Sequence, residues 1–160
     1  MKLSLVVIAF VILTGPRLND NERFVRYYYP DGMVMAEGWV EYSWKTGYWH
    51  HYYPEGTIAS KGHYSRNMRT DYWYFFQANG KTKREGHYKD GLMSDWWLYY
   101  DEEGAIDYKC QLKEGTKHGY CLKYENEELV SAVKYDNGTR IKEWFSLQSF
   151  KRENNVYDLK

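Results

Sequence analysis

The sequence predicts an all-β, single-domain, elongated antiparallel meander, and three observations carry that expectation. The first is a positional self-repeat: WHHYYPEGTIASKGHY from Trp49 is restated as WYFFQANGKTKREGHY from Trp73, a period of 24 residues. Trp49 and Trp73, Gly56 and Gly80, Gly62 and Gly86, His63 and His87, and Tyr64 and Tyr88 hold equivalent positions. Self-similarity at such a period marks a repeat architecture. The second is turn chemistry at both ends of each half-repeat. Pro54-Glu55-Gly56 and Asn79-Gly80 punctuate one end, and Lys89-Asp90-Gly91, Lys113-Glu114-Gly115 and Asp136-Asn137-Gly138 the other. The third is the lack of helical periodicity between the turns, which leaves room for strands of about six to eight residues. Each copy therefore reads as a β-hairpin.

The first residues stand apart. Met1 and Lys2 precede the apolar run LSLVVIAFVIL, followed by Thr14, Gly15 and Pro16. As a helix, that run would cover roughly 16 Å of a hydrocarbon core about 30 Å thick, too little to span it. A short positive start, an apolar stretch and a small-residue exit mark residues 1–19 as a secretory signal peptide or N-terminal hydrophobic segment. The expectation is a secreted, periplasmic or envelope-associated protein; the alternative is a short element buried in the domain. No Cys follows the run, so a lipoprotein anchor is not expected.

The frame then extends in both directions. Backwards from Trp49 it reaches Val25, with Tyr28, Tyr29, Pro30, Asp31 and Gly32 restating Tyr52 to Gly56, and Gly38 matching Gly62. Forwards from Trp73 it reaches Trp97 and Gly104, then Cys121, and then, one residue short, Trp144. Residues 24–144 thus hold about five hairpin repeats, with degraded copies at the ends, as expected of terminal repeats that lack an outer neighbour. Residues 145–160 carry no frame and form a C-terminal tail or cap.

Register follows from the turns. A symmetric turn between repeats sets Gly38 opposite Trp49, Gly62 opposite Trp73 and Gly86 opposite Trp97. A glycine there lets the indole lie flat over the neighbouring backbone, and such cross-strand pairs are the unit of sheet stabilisation. At the fourth step both members change together, to Cys110 and Cys121, the two cysteines of the chain. Directly opposed Cβ atoms lie about 4.5–5.5 Å apart, close to disulfide reach, and an exported protein can keep the bond. Strand alternation sorts the aromatics onto two faces. Trp49, Trp73, Trp97, Tyr64 and Tyr88 share one with the glycines. Tyr48, Tyr52, Tyr72, Phe76, Trp96, Tyr100, Tyr120 and Tyr124 share the other, a candidate ladder for docking a protein strand or a glycan.

The pattern carried by Glu85, Gly86, Tyr88, Lys89, Gly91, Trp97, Tyr100 and Gly104 resembles the MORN-repeat variant family, bacterial relatives of the membrane occupation and recognition nexus repeats. The resemblance covers residues 24–144 and departs where Asp71 and Asp95 stand at positions held by Gly47 and Gly119. It implies a curled antiparallel sheet acting as an interaction scaffold, and some proteins with such repeats are labelled antitoxins of toxin–antitoxin modules. A second resemblance, to choline-binding cell-wall repeats, rests on Trp73, Tyr74, Phe75, Phe76, Asn79 and Gly80. It implies an aromatic cage for a quaternary ammonium.

Composition narrows the classes of partner. The 160 residues include 22 basic and 22 acidic side chains, and this balance argues against nucleic acid. Aromatics make up 19% of the chain, mostly Tyr and Trp, which suit half-exposed sheet faces. His63 and His87, two strands apart at about 9.5 Å, do not reach one zinc ion, whose ligands lie about 2 Å from it. His50 and His51 point to opposite faces. No nucleophile elbow or phosphate loop precedes a helix. The expectation is a non-catalytic protein without metal or cofactor, binding another protein, or alternatively a glycan, choline or a toxin.

Overall fold

The structure, a computed structural model, describes residues 21–159; the N-terminal hydrophobic segment lies outside the described residues. Eleven strands form one antiparallel sheet in chain order. They are β1 (Glu22–Tyr28), β2 (Val34–Glu41), β3 (Trp44–Tyr52), β4 (Ile58–Ser65), β5 (Met68–Phe76), β6 (Thr82–Lys89), β7 (Leu92–Tyr100), β8 (Ile106–Lys113), β9 (Thr116–Glu125), β10 (Glu128–Asp136) and β11 (Thr139–Trp144). A short helix α1 (Leu147–Lys151) and a 3-10 turn (Val156–Leu159) follow. The first and last strands do not pair, so the meander stays open.

Two kinds of turn alternate along its edges. On one edge, two-residue turns such as Arg66-Asn67, Asp90-Gly91 and Glu114-Gly115 hold both residues at positive φ, between 48° and 81°. These are the hairpin turns whose twist matches that of the strands. On the other edge, Tyr53 N donates to Thr57 O and Gly56 N to Tyr53 O, a type I turn closed by a glycine at φ 85°. Pro54 fits the second position of such a turn, where its fixed φ is required and its missing N–H is not. Asn79-Gly80 belongs to this class as well. Only its glycine takes positive φ, so it is not the two-residue hairpin that the dipeptide suggests. Neighbouring hairpins are tied at both edges. Asn67, Gly91, Gly115 and Gly138 donate their N–H to Lys45, Arg69, Met93 and Lys117 O, and the Tyr29 and Tyr53 hydroxyls donate to Tyr52 and Phe76 O.

The glycine–tryptophan register is present. Gly86 pairs with Trp97, and a Cβ built on Gly38, Gly62 or Gly86 would meet the Trp49, Trp73 or Trp97 indole at 2.4 to 2.5 Å. Gly62 and Gly86 also face a tryptophan on their other side, Trp49 and Trp73, whereas Gly38 faces Val25. Next to each pair the strand register shifts, with Gly47, Asp71 and Asp95 at positive φ two residues before the indole. This bulge leaves a carbonyl free, and the indole N–H takes it. Trp49, Trp73 and Trp97 Nε1 donate to Trp39, His63 and His87 O at 2.9 to 3.0 Å. The three indoles are fully buried, covered by Tyr64 and Tyr88 edge-on and by Tyr27 and Phe75 in stacked contact.

Trp144 departs from the frame. It stands opposite Ala132 and packs on Tyr120 and Phe150, on the face away from Trp49, Trp73 and Trp97. The reason is parity: the last repeat is one residue short, and in a strand a one-residue slip sends every side chain to the opposite face.

Candidate functional site

The tyrosine face is built on strands β3, β5, β7 and β9. Tyr48, Tyr52, Tyr72, Phe76 and Tyr100 are half-buried along it. Tyr48 meets the His63 ring edge-on at 4.8 Å and Tyr72 meets His87 at 4.7 Å, so the two equivalent histidines each support a tyrosine. Among the described residues, no three His, Cys, Asp or Glu side chains converge as metal ligands do.

Repeat arithmetic also exposes residues that the aromatic pattern alone missed. Glu37, Lys61, Glu85 and Lys109 follow one another at the 24-residue interval along this face. Tyr52 Oη donates to Glu37 Oε1 and Tyr100 Oη to Glu85 Oε1, both at 2.7 Å. Lys61 Nζ lies over Tyr74 and Phe76, and Lys109 Nζ over Trp96. Carboxylates thus fix tyrosines in one repeat and lysines cap rings in the next. Burial pushes the Glu37 carboxyl up, but hydrogen bonds from Arg26 and Tyr52 outweigh it and leave it below its ordinary value. Burial first, then the Glu37 carboxylate, raises the Tyr52 hydroxyl to about 12. Burial and Glu85 raise Tyr72 to about 12 as well. These phenols are neutral donors at any physiological pH. A cavity of about 410 Å³ opens beside this network, between Arg26, Glu37, Tyr52 and the Met33 and Gly56 loops.

The C-terminal third of the face is not open, which corrects the expectation for Trp96, Tyr120 and Tyr124. Phe150 of α1 is fully buried against Tyr120 and Trp144, both edge-on at 5.3 Å. Val156 and Leu159 join the same cluster, with Trp96 and Tyr124 packed against it. Polar contacts align the segment: Tyr120 Oη donates to Asn154 Oδ1 at 2.9 Å, and Gln111 Nε2 to the Asp158 carbonyl at 3.3 Å. Ser146 caps α1 by accepting from Ser149 N. Residues 145–159 are therefore a docked cap. Tyr48, Tyr52, Tyr72, Phe76 and Tyr100 remain as the open part of the ladder.

On the opposite face, Cys110 pairs with Cys121 and their sulfurs stand at disulfide distance, 2.07 Å. A cavity of about 440 Å³ lies over them, walled by Tyr108, Lys117 and Tyr135, where a fourth indole would otherwise stand. On the tyrosine face, Gln111 spans the adjacent bulge. Its Oε1 accepts from Tyr120 N at 2.8 Å, and a Cβ on Gly119, at φ 100°, would meet that oxygen at 2.2 Å. No helix among the described residues is long and apolar enough to cross a membrane.

No protein-family model matches the chain, and no curated protein matches it.

Proposed function

We propose that the protein is a non-catalytic repeat scaffold, of the kind the MORN-repeat resemblance implies, whose tyrosine face binds a segment of another protein at or outside the cell envelope. One observation carries the reading: the chain's own segment 145–159 already docks on that face through Phe150, Val156 and Leu159. A polypeptide with spaced apolar side chains is thus a ligand this surface accommodates, and the open rings continue the same row. A contiguous row of partly exposed aromatic rings of this kind is typical of interaction sites. The polar ring of Glu37, Tyr52, Glu85 and Tyr100 supplies the few directed hydrogen bonds that orient a partner. The envelope location rests on the N-terminal apolar run and on the cysteine pair, which suits an oxidising compartment.

A choline-binding role is less favoured, because the cation positions over the rings are taken. Lys61 sits over Tyr74 and Phe76, and Lys109 over Trp96. The experiment is site-specific photocrosslinking in the native host, with the reactive residue placed at Tyr74 and, as a control, at Arg66 in an exposed turn. Discrete protein adducts from position 74 and not from position 66 are the expected result. No face-specific adduct, together with Trp quenching by free choline or a cell-wall glycan, would replace the protein partner with a small ligand. Adducts with a cytosolic toxin would move the protein inside the cell.

A further inference from the structure

The tryptophan face carries positive charge that no described carboxylate neutralises. Lys45 Nζ lies 4.3 Å from the Trp49 ring centre and 5.0 Å from that of Tyr64. The Arg69 guanidinium lies 4.7 Å from the Trp73 ring and 5.3 Å from Phe75. Arg84 stands 4.6 Å from the same Phe75 ring. All three are half-buried, and the ion pairs among the described residues involve other side chains.

His51 sits among them, its ring 6.1 Å from Trp49 and 6.0 Å from Trp73. Lys45 Nζ is 3.4 Å from His51 Nε2. An ammonium is a donor only, so Nε2 accepts and the ring proton belongs on Nδ1. That Nδ1 is buried and has no hydrogen-bond partner. Burial, reinforced by the charges of Lys45 and Arg69, holds His51 at about 4; a backbone contact with Ser60 opposes this weakly. Burial, then the charge of Arg69, lowers Lys45 as well. Cations partly removed from water without a counter-charge are unfavourable, and an anion brought by a partner relieves that cost.

Spacing identifies the anion's carrier. Lys45 and Arg69 are equivalent positions in successive repeats, hence two strands or about 9.6 Å apart. A polyproline II segment advances about 3.1 Å per residue with three residues per turn, so side chains i and i+3 share one side about 9.3 Å apart. An extended β-strand returns to one side at about 6.7 or 13 Å and does not match. The half-buried rings of Tyr27, His51 and Phe75 offer the aromatic bed on which such helices rest. We propose that the tryptophan face binds an acidic polypeptide segment in the polyproline II conformation, lying across the strands, with carboxylates at i and i+3 on Lys45 and Arg69.

The test is fluorescence anisotropy with the full chain and labelled peptides of repeating Glu-Pro-Pro, Glu-Pro-Pro-Pro and Lys-Pro-Pro. Glu-Pro-Pro should bind tightest, weaken as salt rises, and lose about tenfold or more in affinity with Lys45→Gln or Arg69→Gln. Arg66→Gln, in a turn, should change little, and thermal unfolding of each variant checks that it is folded. Equal binding of the Glu-Pro-Pro-Pro peptide, or of the lysine peptide, would overturn the spacing or the charge assignment. Displacement by inorganic phosphate at matched charge would reduce the site to a small-anion subsite and overturn the peptide. Tyr74→Ser lies on the opposite face and should leave peptide binding unchanged. A failure here is thereby separable from failure of the protein-partner reading.

Discussion

The three bulges beside glycine–tryptophan pairs and the one beside Cys110 and Cys121 solve one packing problem in two ways. At Trp49, Trp73 and Trp97, an indole lies over a glycine and donates to the carbonyl that the bulge sets free. At Cys110 and Cys121 the indole and the glycine are both gone. A sulfur pair spans the strands, and the Gln111 side chain satisfies the Tyr120 N–H from across the bulge. The indole provides large apolar burial, whereas a cross-link restricts the unfolded chain and leaves a cavity above it. The bulge, not the tryptophan, is therefore the recurring unit, and different side chains fill it.

Substitutions sharpen that contrast. Trp73→Ala should cost about 3–5 kcal/mol in denaturant unfolding, since it empties a fully buried site. Replacing both Cys110 and Cys121 by Ala should cost less, about 2–3 kcal/mol, because the sequence separation they close is only 11 residues. An equal or larger loss would mean that the fourth position is held by more than the cross-link. Gly62→Ala should cost about 1–3 kcal/mol, because its Cβ would stand 2.4 Å from the Trp73 ring.

The pH dependence distinguishes repeats that otherwise match. His51 holds the place of Phe75 and Tyr99, and its folded value of about 4 lies below the ordinary value of 6.5. Between these values the unfolded chain binds more protons, so His51 makes stability fall as pH drops from about 6.5 to 4. His51→Phe should flatten that part of the curve in thermal melts across this window; an unchanged slope would contradict the assignment to His51. The smallest effect is expected at Asp71, a non-glycine residue at φ 59° where Gly47 serves in the preceding repeat. Asp71→Gly should be neutral or stabilise by up to about 1 kcal/mol.

Much of this architecture was legible because a repeat supplies its own reference. Comparing Trp49 with Trp73 exposes the period, the period sets the register, and the register pairs Cys110 with Cys121. The inversion of Trp144 was contained in the one missing residue, but it becomes visible only when strand parity is followed through the shortened repeat. That Asp71 and Asp95 take over a left-handed glycine position was not legible, since sequence shows the substitution and not the φ. The docking of Phe150, Val156 and Leu159 was hidden for a different reason. Residues 145–160 have no equivalent elsewhere in the chain, and nothing in their spacing names the face they cover. Trp96, Tyr120 and Tyr124 consequently read as members of the docking ladder, although the cap packs against them.

The most direct test of the bulge-and-indole account is a double-mutant cycle in denaturant unfolding with Gly62→Ala and Trp73→Leu. If the glycine is required only because the indole lies on it, Gly62→Ala should be costly in the native background and nearly free beside Trp73→Leu. That result corresponds to a coupling of about 1–3 kcal/mol. Strictly additive losses would contradict the account, because the glycine would then be needed by the backbone alone and the indole would merely pack nearby.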